Sequence, residues 1–190
     1  YNCCNYYEID PKYGTMEALE ELIEACHEKD IKLIIDLVLN HCSKSNEVFV
    51  KFKESLRKFA SNKILSSEEE LYKDMFSYRT SEKVGWNYLF AENGTKYYYE
   101  CNFDSDMPEF NFDSEFARGY LKDVMKYYLD MGIDGFRLDA VKYFYLDDTV
   151  KNCEVLDYYN DYAESINPNV YIVGECWDDG LIAKYYEYTD

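Results

Sequence analysis

The chain has 190 residues, 47% of them apolar, and a formal net charge of -18. That is enough for one domain with a real core, or a core plus an inserted lobe. The charge argues against nucleic acid or an anionic membrane as partner, and no apolar run is long enough to span a bilayer.

No signal peptide is recognisable, and Tyr1 stands where a start methionine would be, so a piece of a longer chain is expected and its location stays open. The seven cysteines show no CxxC spacing, and free thiols are the default. The 22 tyrosines and two tryptophans could stack on sugar rings, but core filling and strand propensity account for most of them.

In chain order, Tyr6 to Asp10 reads as a short strand that Pro11 and Gly14 close. Thr15 can cap a helix with Met16, Leu19, Leu22, Ile23 and Cys26 at helical spacing, and His27 suits its last turn. Ile31 to Leu39 is nearly continuous apolar sequence, as in a parallel strand buried on both faces. Asp36 interrupts it and Asn40-His41 follow, which is harder to assign to structure alone.

From Cys42 to Phe110 the pattern changes. Val48, Phe49, Phe52, Leu56 and Phe59 mark one amphipathic helix, and Glu68 to Phe76 a second. Trp86–Ala91 and Lys96–Asn102 read as strands around Glu92-Asn93-Gly94-Thr95, a hairpin signal that also matches a glycosylation sequon. This segment looks like a small separate lobe.

Asp113 can cap the next helix, which carries Phe116, Tyr120, Leu121, Val124, Tyr128 and Leu129 and ends at Gly132. A further helix falls between Cys153 and Ile166, and Val170–Glu175 is another buried strand ending in a carboxylate.

The central stretch is Gly135-Phe136-Arg137-Leu138-Asp139-Ala140. As a strand it sends Phe136 and Leu138 one way and Arg137 and Asp139 the other. An ion pair on an otherwise apolar strand is expensive. Two readings stay open: a buried pair that fixes register, or a carboxylate nucleophile that the arginine keeps charged and aimed. Several strand–helix units thus end in polar groups, which a parallel barrel or a doubly wound sheet would gather. No phosphate-binding glycine loop is present.

Four motifs, in order, resemble those of the α-amylase superfamily of retaining glycoside hydrolases. They are Asp36-Leu37-Val38-Leu39-Asn40-His41, Met107-Pro108-Glu109-Phe110-Asn111, Gly135-Phe136-Arg137-Leu138-Asp139-Ala140-Val141-Lys142 and Gly174-Glu175-Cys176-Trp177. The resemblance implies an α/β fold: part of a (β/α)8 TIM barrel, with strands resembling the second to fifth, and a small α+β domain B inserted. Its parts would be 1–41, 42–110 and 111–190, the first and last belonging to the barrel.

The resemblance also implies roles. Asp139 would be the nucleophile, Glu175 the general acid/base, Arg137 the group that keeps Asp139 ionised, and Asp36 a supporting acid. His41, Lys142 and Tyr143 would contact sugar, Tyr143 standing where the family usually has His. Asn40 matches a calcium ligand, while Asn111 replaces a common aspartate, a poorer ligand for a hard cation. Glu175 has no cation beside it in sequence and so is expected to keep its proton.

The implied substrate is an α-glucan such as starch or a maltooligosaccharide. The alternatives are an α-1,6-acting neopullulanase-like enzyme or glucanotransferase, or a non-catalytic sugar-binding relative. The family's third essential acid would lie beyond Asp190. The piece alone is therefore expected to be inactive and to self-associate through uncovered strand edges.

Overall fold

The computed structural model describes residues 1–177, 180, 182–185 and 188–189. In chain order the elements are α1 (Met16–His27), β1 (Ile34–Leu37), α2 (Glu47–Ala60), α3 (Ser67–Lys73), β2 (Tyr78–Arg79), β3 (Trp86–Phe90) and β4 (Lys96–Glu100). There follow α4 (Glu115–Met131), β5 (Gly135–Leu138), a 3-10 turn (Val141–Tyr143), α5 (Thr149–Ile166), β6 (Tyr171–Gly174) and α6 (Ile182–Tyr185). They form two compact units, Tyr1–Asn5 with Leu39–Tyr120, and Tyr6–Val38 with Leu121–Asp190. The division passes through α4, and residues 42–110 lie wholly within the first unit.

The first unit has an aromatic core. The α2 residues Val48, Phe49, Phe52 and Leu56 recur at helical spacing and are all buried. Phe49 packs edge-on against Phe76 and Tyr99, and Phe76 stacks on Phe110 with ring centroids 4.9 Å apart. The Asn46 side chain caps α2 at the Val48 N–H, and Ser66 with Glu69 closes a capping box on α3.

Helix α3 stops at Lys73 rather than at Phe76, because Met75 and Phe76 turn into this core. The small sheet is antiparallel in the order β2-β4-β3. Its hairpin turns as expected: Gly94 takes φ +80°, and the Asn93 side chain accepts the Thr95 N–H. Strand β2, two residues long, is too short to leave a periodic signal in the sequence.

The second unit carries a parallel sheet in the order β1-β5-β6. Its central strand is buried: Phe136 and Leu138 are inaccessible, and Ile172 from β6 joins them. Leu121, Val124, Met125 and Leu129 of α4, with Leu156, Tyr159 and Ala163 of α5, complete the core. Gly135 is required by close approach, since a Cβ there would meet the Tyr171 carbonyl oxygen at 1.9 Å. Helix α4 ends in a Schellman motif. Gly132 takes φ +107°, the Ile133 N–H bonds the Tyr128 carbonyl, and the Gly132 N–H bonds Leu129.

Three expectations are corrected. Tyr6–Asp10 forms turns rather than a strand: the Tyr6 carbonyl accepts the Tyr128 hydroxyl at 2.6 Å, and Asp10 closes a turn on Lys12 and Tyr13. Ser114, not Asp113, caps α4 through the Ala117 N–H, while the Asp113 N–H goes to the Asn111 side chain. Finally, Ile34 and Ile35 are only half-buried, because among the described residues β1 pairs with β5 alone and stands at the sheet edge.

Candidate active site

The register of the parallel sheet builds the site. Asp36 pairs with Arg137, Arg137 with Val173, and Leu138 with Gly174. Continuing one residue brings Asp139 level with Glu175, just past the C-terminal ends of β5 and β6. Paired residues of neighbouring strands point to the same face, and so do residues two apart on one strand. Asp36, Arg137, Asp139 and Glu175 therefore converge. Backbone bonds hold the strand ends: the Asp139 N–H donates to Leu37 O at 3.2 Å, and the Glu175 N–H to Leu138 O at 2.8 Å.

Arg137 is the hub. Its Nη1 donates to both oxygens of Asp36, at 2.8 and 3.0 Å, and to Asp139 Oδ1 at 2.9 Å. Its Nη2 lies 2.5 Å from Glu175 Oε1. This corrects the expectation that Glu175 has no cation near it: the neighbour in space comes from the adjacent strand, not from adjacent sequence.

Asp139 is buried, and burial pushes its carboxyl above the ordinary range. Arg137 opposes that shift, while the negative charge and hydrogen bond of Glu175 reinforce it. The two carboxyl groups thus share Arg137 on one face.

The turn after Asp139 is strained. Ala140 sits at φ +53°, ψ +42°, a left-handed conformation that costs a non-glycine residue about 1 kcal/mol or more. It aims the Ala140 N–H at Glu175 Oε2, 3.3 Å away. Lys142 and Tyr143 lie in the 3-10 turn that follows. Lys142 Nζ donates to the Trp177 carbonyl at 2.8 Å and lies 5.3 Å from the Tyr143 ring centroid.

His41 and Asn40 belong to the first unit. His41 forms an antiparallel bridge with Glu109, and its ring lies 5.1 Å from that of Phe103. Burial pushes the imidazole down to about 4, with a hydrogen bond from the ring to the Tyr1 backbone opposing, so the ring is neutral near pH 7. Burial also pushes the Glu109 carboxyl up to about 8, although Asn102 donates to both its oxygens at 2.8 Å. Asn40 is inaccessible, and its Oδ1 has no hydrogen-bond partner among the described residues.

Two participants stand in the motifs without a role assigned from sequence. One is Ala140, whose conformation carries no side-chain signal. The other is Trp177, whose indole N–H donates to Glu175 Oε1 at 2.6 Å. An aromatic residue two positions beyond a strand-end carboxylate is the signal that could have found it.

A family model described as the alpha amylase catalytic domain matches residues 1–190. The chain belongs to the alpha-amylase family. It is 40% identical to Alpha-amylase 3 of Dictyoglomus thermophilum over 188 residues, 98% of this chain and 35% of that protein. Against Oligo-1,6-glucosidase of Bacillus cereus the identity is 28% over 184 residues, 90% of this chain and 31% of the other.

The solved structure of Eubacterium rectale Amy13B superposes with a TM-score of 0.87 at 33% identity, covering 97% of this chain and 35% of that one. The chain thus spans about a third of the length of the family members it matches. Its fold is part of the family's (β/α)8 barrel with a small α+β insertion.

Proposed function

We propose that the whole protein carrying this chain is a retaining glycosidase acting on α-glucosidic bonds of starch-like glucans and maltooligosaccharides. The observation that carries this reading is Arg137 at the ends of neighbouring parallel strands, hydrogen-bonded to Asp139 and ion-paired with Glu175. A retaining enzyme needs its two carboxyls close, about 5–5.5 Å apart, whereas an inverting one leaves about 6.5–9.5 Å for water.

In the first half-reaction the Asp139 carboxylate attacks the anomeric carbon. Glu175 gives its proton to the glycosidic oxygen, and the breaking C–O bond leaves its electron pair there. In the second half Glu175 takes a proton from water, whose oxygen displaces Asp139 from the same carbon. Arg137 holds Asp139 in place, and Asp36 shares its charge. We assign Lys142, Tyr143 and His41 to sugar contact.

Calcium is a separate proposal. The buried Oδ1 of Asn40, unpartnered among the described residues, suits a hard cation, and Asn40 would hold it there. The ion would supply a structural cross-link and no step of the reaction. No three His, Cys, Asp or Glu side chains gather as a metal set among the described residues, so main-chain oxygens would have to complete the shell.

The test is product analysis by NMR on maltooligosaccharides and isomaltose. Release of the α-anomer supports retention, and the substrate cleaved assigns the linkage. Initial release of the β-anomer contradicts the mechanism.

A further inference from the structure

Trp177 is exposed in this chain. Yet it is held at two points. Lys142 Nζ bonds its carbonyl at 2.8 Å, and its indole N–H bonds Glu175 Oε1 at 2.6 Å. Arg137 Nη2 lies 2.5 Å from the same Oε1 as an ion pair. An sp2 carboxyl oxygen has two lone pairs, so the indole bond and the guanidinium charge together engage it. Oε2 receives the long bond from the Ala140 N–H, 3.3 Å away.

We propose that Trp177 is a positioning residue: with Arg137 it engages Oε1 of Glu175 and so assigns the transferable proton to Oε2. The inference rests on the reading of Glu175 as general acid. The proton leaves Oε2 for the glycosidic oxygen as the C–O bond breaks, and the bonding pair stays on the departing oxygen. Water returns a proton to Oε2 in the second half. Oε1 keeps the indole bond and the ion pair throughout, and the indole N–H never exchanges its proton with substrate. Without the indole bond the carboxyl can rotate, and the proton is then presented from either oxygen.

Trp177→Phe removes the N–H and keeps the ring. In the whole protein kcat is compared on a maltooligosaccharide, whose leaving group needs protonation, and on a dinitrophenyl glycoside, whose leaving group does not. The loss on the first should exceed the loss on the second by about tenfold, the worth of one charge-assisted hydrogen bond. Equal losses, or no loss on either, overturn the proposal.

A second readout is independent of turnover. In the whole protein the difference spectrum between the parent and Trp177→Phe isolates this indole. Ultraviolet resonance Raman should show a strong N–H hydrogen bond, and Glu175→Ala should abolish it. A weak bond before that substitution overturns the proposal even if the protein hydrolyses glucans. A strong bond in a protein that hydrolyses no glucan removes the reading of Glu175 instead.

Discussion

Strand β5 has a charge cluster at each end, and the two differ in kind. At the N-terminal end Asp134 accepts the Leu33 N–H at 2.8 Å, His27 Nε2 at 2.8 Å and Lys32 Nζ at 3.0 Å. Burial disfavours its charge, but these donors together outweigh burial and hold its carboxyl below the ordinary range. At the C-terminal end Asp139 has a cation too, yet burial and the nearby Glu175 push it the other way. The first cluster is satisfied and the second is frustrated. Satisfied charge staples α1 and β1 to the central strand. A carboxylate kept against burial and a like charge is the pattern expected of a group that reacts.

The largest expected effect lies at the frustrated end. In the whole protein Asp139→Asn should lower kcat on maltooligosaccharides by roughly 10^4-fold or more, since the nucleophile is gone. Asp134→Asn should leave kcat within about twofold, as the N-terminal face of a barrel serves stability. Comparable losses from both would erase the distinction between the ends. Next comes Glu175→Gln, with an expected loss of roughly 10^2–10^4-fold on natural glucans and a much smaller one on dinitrophenyl glycosides.

Stability sharpens the same contrast with opposite signs. Asp134→Asn should cost about 1–3 kcal/mol, roughly 2–10 °C in Tm, while Asp139→Asn should not lower Tm at pH 7. The folded carboxyl of Asp134 is depressed. Its contribution is therefore present above the unfolded value of about 3.9 and is lost as pH falls through the folded value. For Asp139 the folded value is raised, so the cost of its charge is absent below about pH 3.9 and grows as pH rises through the folded value. Melting curves of the two variants from pH 3 to 8 should accordingly diverge as pH rises. Parallel curves would contradict the contrast.

The smallest effect expected is that of chelation. With Asn40 the one assigned ligand, a chelator should shift Tm by no more than roughly 2 °C, the equivalent of under about 1 kcal/mol. A larger loss would show a cation site better built than Asn40 indicates.

Much of this was legible in the sequence where the pattern is local. The alternation Phe136-Arg137-Leu138-Asp139 gives β5 and its two faces, and Gly132 gives the end of α4. Asn93-Gly94 gives the hairpin. What failed was local preference overruled by a distant partner. Tyr6 and Tyr7 favour a strand, but the Tyr6 carbonyl is taken by a hydroxyl 122 residues away.

The ion pair of Arg137 with Glu175 is invisible along the chain, because residues 38 positions apart meet only once β5 and β6 are paired in register. Ala140 was illegible for a different reason: its left-handed backbone leaves no mark in the residue type.

The most direct measurement is to trap the covalent intermediate. The whole protein is incubated with a fluorinated glucosyl fluoride, which forms the glycosyl-enzyme faster than water clears it, and the labelled peptide is sequenced by mass spectrometry. One glycosyl unit on the side chain of Asp139 is the predicted result, with no label after Asp139→Asn. Label on Glu175 or Asp134, or rapid turnover with no adduct and an inverted anomeric product, would contradict the division of β5 into a structural and a reactive end.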